Sequence, residues 1–187
     1  MQRPKPLHAI ERGTKALGFD MAIDLETGSL LRTLAASKPA ARILELGTGT
    51  GASTAWLADG MDAGSELLSI DVDRDASAVA QEALSDDHRL AFRIIDGAAF
   101  LKAYDGPPFD LIFADAMPGK FETLDEALAL VAPGGLYIVD DLLPQANWPE
   151  NHQPRVDAFI ARMKSEPGFR TTYLNWSTGI LFAARIK

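Results

Sequence analysis

The chain contains no cysteine, which removes disulfides, thiolate metal ligands and a cysteine nucleophile together. It has no unbroken apolar stretch of ~18 residues, so no membrane-spanning helix is expected. Its start, Met1-Gln2-Arg3-Pro4-Lys5-Pro6, has basic residues but no apolar stretch behind them, which does not match a secretory leader. Basic clusters are missing as well: the 18 Lys and Arg are dispersed among 26 Asp and Glu, giving a net charge of −8. Nucleic-acid binders displace phosphate counterions with patches of Lys and Arg. Nucleic acids and anionic membranes are therefore poor partners, a small molecule is favoured by elimination, and a cytoplasmic location is the simplest expectation.

With 187 residues, 47% of them hydrophobic, the chain is long enough for one domain with a sizeable core. The most informative stretch runs from Ile43 to Thr54. An apolar run, Ile43-Leu44-Glu45-Leu46, reads as a parallel strand buried on both faces. Glycines at alternate positions follow, Gly47, Gly49 and Gly51, and then a helix opens at Ser53. Glycine takes positive φ and has no Cβ, so a ligand can come close to the main chain there. The helix N-terminus that follows offers free N–H groups.

Two cofactors compete for such a loop. A dinucleotide fingerprint is G-x-G-x-x-G with a pyrophosphate on the helix N-terminus. Here the spacing is G-x-G-x-G, and Glu45 would repel an anion while welcoming an amino group or sulfonium. A second strand ends in Asp71, placed to accept hydrogen bonds from ribose hydroxyls. An adenosine ligand with a cationic tail, S-adenosylmethionine, fits better than NAD.

Beyond that loop the pattern alternates. Strands are predicted over Glu66–Asp71, Arg89–Ile95, Phe109–Asp115 and Leu136–Asp140, with helices over Arg74–Leu84 and Phe121–Val131 and a short one after Asp96-Gly97-Ala98-Ala99. Alternating βα units imply a parallel sheet with helices on both faces. The end breaks the rhythm: a helix over Arg155–Lys164, then strands over Phe169–Asn175 and Gly179–Ile186 joined by a turn short enough only for antiparallel neighbours. The expected fold is α/β, a doubly wound, Rossmann-like, mostly parallel seven-stranded sheet with a C-terminal antiparallel hairpin. Helices over Pro6–Leu17 and Met21–Ser37 precede it, so one domain over 1–187 divides into N-terminal helices (1–38) and a core (39–187).

Glu45, Asp71, Asp96, Asp115 and Asp140 each close a strand. Any one alone reads most simply as a helix N-cap or solvated turn. Five on one rim, where open parallel sheets bind ligands, indicate a site.

The arrangement resembles the class I S-adenosylmethionine-dependent methyltransferases. Gly28-Ser29-Leu30-Leu31, Ile43 to Thr54, Phe109 to Ala116, Pro133-Gly134-Gly135 through Leu143, and Trp176 to Ile180 resemble the catechol and caffeoyl-CoA O-methyltransferase group. The resemblance implies methyl transfer to a small-molecule hydroxyl, with a cofactor-binding protein of the same fold and no such activity as the alternative, and it suggests a homodimer. It implies that Glu45, Gly47, Thr48 and Ser53 hold the methionine portion of the cofactor and that Asp71 holds the ribose. Gly49 and Gly51 complete the loop, and Asp96, Gly97 and Ala99 form the turn beside the adenine.

Asp115 matches an acid serving both cofactor and metal, and Asp140 with Asp141 matches an Asp-Asn pair that completes a divalent site. Three carboxylates suit a hard cation, Mg²⁺ or Ca²⁺. The chain departs from the pattern twice. Pro118 stands where the group carries a lysine credited with deprotonating the substrate, and Asp141 replaces the asparagine. The catalytic base is thus unassigned; Lys120, expected to be a solvated loop residue, and His152, in a polar loop with Trp148 that could cover a substrate, are the remaining candidates.

Overall fold

A computed structural model describes residues 2–145 and 148–186. Helices α1 (Leu7–Leu17) and α2 (Leu25–Ala36) lead into β1 (Arg42–Leu46), α3 (Ala52–Gly60), β2 (Glu66–Asp71), α4 (Arg74–Ala83) and β3 (Leu90–Ile94). Then come α5 (Gly97–Ala103), β4 (Phe109–Ala114), α6 (Leu124–Ala129), β5 (Val131–Val139), α7 (His152–Lys164), β6 (Phe169–Leu174) and β7 (Ile180–Arg185). No helix among the described residues is long and apolar enough to cross a membrane.

The seven strands form one sheet in the order β3-β2-β1-β4-β5-β7-β6. The first five pair in parallel, while β7 runs antiparallel between β5 and β6. Strand order reverses between β1 and β4, which opens a crevice at their carboxyl ends. Leu44, Ile43, Leu111, Ile112, Phe113 and Ile138 are all buried to 1% exposure or less, so the central strands are covered on both faces and read as continuous apolar runs. Gly28 of α2 lies against the Trp56 indole of α3, and a Cβ there would sit 2.3 Å from the ring. That contact packs the N-terminal helices onto the core.

Four elements differ from expectation in ways that shape the site. Helix α2 begins at Leu25 rather than Met21, because the Asp24 carboxylate accepts the N–H groups of Glu26 and Thr27 at 2.8 and 2.7 Å and caps it there. Residues 19–24 are released as a strap across the carboxyl rim. Helix α6 begins at Leu124 rather than Phe121: Gly119 (φ +83°) and Thr123 (φ +51°) turn the backbone left-handed, and Pro118 bridges to Glu122. Strand β5 begins at Val131, ahead of Pro133-Gly134-Gly135, with an irregularity in its register against β4. Helix α7 begins at His152, not Arg155, which places the imidazole on a helix rather than a loop.

Candidate active site

Two cavities open side by side on the carboxyl rim. The larger, of about 540 Å³, lies over the glycine loop, and Leu46, Gly47, Thr48, Gly49, Ser53, Asp71, Asp96, Gly97 and Asp115 line it. The backbone of Gly47 (φ +101°) packs on β4, where a Cβ would fall 2.6 Å from the Asp115 carbonyl oxygen; one on Gly51 (φ +92°) would fall 2.6 Å from the Ala80 Cβ. These two glycines are thus demanded by the protein's own packing. Only at Gly49 is the near neighbour the strap, with the Phe19 ring 3.1 Å from a would-be Cβ.

The acids behave differently from one another. Asp71 accepts the Gly49 N–H at 2.7 Å and the Asp73 N–H at 2.8 Å, one on each oxygen, and still faces the cavity. Asp96 accepts the Ala99 N–H at 2.7 Å, capping α5, so Ala99 meets Asp96 instead of the cavity wall. Glu45 is not on the rim. It is fully buried beneath the loop, where one oxygen accepts the Thr54 and Ser69 hydroxyls at 2.5 and 2.6 Å and the other has no partner. Burial pushes its pKa up to about 7 against the pull of hydroxyls from Ser53, Ser69 and Thr54. The unpartnered oxygen is the kind of buried acceptor that a cationic ligand group would satisfy.

The smaller cavity, of about 340 Å³, shares Met21, Ala22, Ile23, Asp115, Ala116 and Met117 with the first. Its far wall is aromatic. The His152 ring stands edge-on to Phe121 (centroids 5.2 Å apart, planes at 88°) and 4.5 Å from Trp148. Burial, then the charges of Lys120 and Arg155, lower the His152 pKa below the usual imidazole value.

Asp115, Asp140, Asp141 and Lys120 meet in this second cavity. Lys120 is not solvated as expected: it is 5% exposed, and its Nζ lies 3.9 Å from Asp115 Oδ1. Asp140 Oδ1 accepts the Thr178 hydroxyl and the Asp141 N–H, the latter at 2.7 Å. Burial raises Asp115 to about 6 and Asp140 to about 7; Lys120 opposes the first shift and the Asp115 charge adds to the second. The expected weak divalent site at Asp115, Asp140 and Asp141 has no preformed ligand set in this arrangement. Among the described residues no three acidic or imidazole groups converge as a metal ligand set. Lys120 puts a cation where the expected metal would need carboxylate oxygens free. A metal does not fit this donor set as it stands.

Sequence reasoning missed the strap from Phe19 to Ile23, which walls both cavities, and Phe121, which it placed in a helix. The strap was signalled by Asp24-Leu25-Glu26-Thr27, an N-cap followed by a helix start. Nothing local signals that Phe121 faces a cavity.

A seven-stranded sheet of this order, with a glycine loop and acids at its switch point, defines the Rossmann-like S-adenosylmethionine-dependent methyltransferase class. The chain belongs to the O-methyltransferase family, whose model matches residues 5–186. It is 32% identical over 130 residues to the catechol O-methyltransferase of Niastella koreensis, covering 66% of this chain and 59% of that protein. The chain spans little more than half the length of the curated relatives it matches. Among solved structures it is similar to the O-methyltransferase TomG of Streptomyces achromogenes in complex with S-adenosylmethionine (25% identity, TM-score 0.83, all of this chain and 92% of that one). The fold is also that of an O-methyltransferase from Bacillus cereus solved with S-adenosylhomocysteine (22% identity, TM-score 0.83, 99% of this chain and 92% of that one).

Proposed function

We propose that the protein transfers a methyl group from S-adenosylmethionine to a hydroxyl oxygen of a small, flat, aromatic acceptor. The observation that carries this reading is the shared wall. The glycine-loop cavity and the aromatic cavity meet along Asp115-Ala116-Met117, so a ligand in each would touch the other there. The carboxylate of Asp71 and the turn at Asp96-Gly97 suit an adenosine, while Glu45, with one oxygen unpartnered, lies buried behind the loop and off the cavity wall. Phe121, Trp148 and His152 suit a flat ring. The Niastella relative's name, a catechol O-methyltransferase, agrees with this acceptor class.

When the cofactor is bound, the acceptor oxygen attacks its methyl carbon, the C–S electron pair stays on sulfur and cancels its charge, and the hydroxyl proton passes to water. The chain's part is to hold oxygen and methyl in line. Orientation of this kind supplies ~7–11 kcal/mol in favourable cases. No step is assigned to a metal.

Incubation with radiolabelled S-adenosylmethionine and a panel of phenols and catechols tests the proposal, with label expected in an organic-extractable ether. Tight S-adenosylhomocysteine binding with no product across the panel would favour the alternative, a cofactor-binding protein of this fold.

A further inference from the structure

We infer that the Lys120 ammonium replaces a divalent cation in the acceptor cavity, so that this protein works without a metal. The inference rests on the proposed reaction for its chemical meaning, but the charge balance behind it is a matter of side-chain positions alone.

Three carboxylates, Asp115, Asp140 and Asp141, face one cavity. Like charges that face one cavity disfavour one another unless a cation lies among them. Lys120 supplies that cation from within: its side chain is 6% exposed and its Nζ is 3.9 Å from Asp115 Oδ1, on the wall of the same cavity. A hard dication would need several free oxygens at ~2.0–2.6 Å. Here Asp140 Oδ1 already accepts two hydrogen bonds, and a dication near Asp115 would face the ammonium.

The loop is built to deliver the lysine. Pro118 and Gly119 come between Met117 and Lys120, and Gly119 is clamped: its N–H donates to the Glu122 carbonyl at 2.7 Å and its carbonyl accepts the buried Tyr137 hydroxyl. Its φ of +83° and a would-be Cβ 2.6 Å from Leu46 Cδ1 leave room only for glycine. The chain therefore turns back, and Lys120 points at Asp115 instead of at solvent. An acceptor oxygen in the cavity would then meet a fixed ammonium, which favours its deprotonated form as a metal would.

Calorimetry and thermal-shift titration of chelator-treated protein with Mg²⁺, Ca²⁺ and Mn²⁺ decide the matter. The wild type is expected to show no saturable binding up to millimolar metal, with labelled-methyl turnover unchanged within twofold by EDTA. Lys120→Met should lose at least tenfold in turnover while keeping its S-adenosylhomocysteine affinity, and should gain saturable metal binding. Lys120→Arg, which keeps the charge, should stay metal-free. Saturable wild-type binding that Asp140→Asn/Asp141→Asn removes, or turnover abolished by EDTA, would overturn the inference. If no acceptor is ever methylated, the proposed reaction fails, yet the wild-type metal titration still decides this point. If Lys120→Met does not fold, the wild-type and Lys120→Arg titrations suffice.

Discussion

Asp71 holds the Gly49 N–H at 2.7 Å, tying the carboxyl end of β2 to the apex of the loop after β1. One carboxylate thus shapes the loop and lines the cavity that the loop encloses. Asp71→Ala should weaken S-adenosylhomocysteine binding by about 10- to 100-fold, since it leaves the half-buried Gly49 N–H unpaired, at ~1–3 kcal/mol. Isothermal calorimetry reads this directly, and affinity unchanged from wild type would remove Asp71 from the site.

Glycines of the loop should separate by role. Gly49→Val is expected to abolish cofactor binding, because a β-branched side chain at φ +50° is strained and would press on Phe19. Gly47→Ala, whose Cβ would meet the Asp115 carbonyl, should cost stability as well, roughly 1–3 kcal/mol. Urea denaturation beside a binding titration distinguishes the two; equal stability losses would refute the separation.

Glu45 should make stability depend on pH. Its folded pKa, about 7, lies above its ordinary value of 4.5, so the folded state holds the proton more tightly than the unfolded chain does. Its contribution is fully present below about pH 4.5 and is lost as pH rises through 7. The loss is on the order of 3 kcal/mol at most. Glu45→Gln, which cannot ionise, should match wild type near pH 4.5 and exceed it at pH 8. Parallel pH profiles for the two proteins would rule this out.

Trp148→Ala should raise KM for an aromatic acceptor about 10-fold, in line with the ~0.5–1.5 kcal/mol of an aromatic contact plus lost burial. Because Trp148 lines the smaller cavity and not the larger one, S-adenosylhomocysteine affinity should stay unchanged. A matching loss of cofactor affinity would place Trp148 in the wrong cavity.

The sheet was legible in the sequence because its strands are buried on both faces and so are written as apolar runs, from Ile43 to Leu46 and from Leu111 to Ala114. The glycine loop was legible because its spacing is local. What escaped was set by contacts distant in sequence. Lys120 reads as solvated until Tyr137 and Leu46 are seen to pin Gly119. Glu45 reads as a rim acid until Ser69 and Thr54 are found covering it. Residues 21–24 read as helix because their side chains suit one, and the cap at Asp24 outweighs that preference.

Strand β7, the last strand among the described residues, pairs with both β5 and β6 and is an inner strand of the sheet. Synthesis proceeds from the N-terminus, and until Ile180–Arg185 emerges the edge of β5 has no partner on that side. Asp140 waits equally for the Thr178 hydroxyl that fixes it. A nascent chain can thus assemble the half that carries the glycine loop while the Asp140 side stays open, with an exposed apolar edge inviting other strands. Newly made protein should depend on chaperones in that interval, and chains stalled between β5 and β7 should be the ones that aggregate.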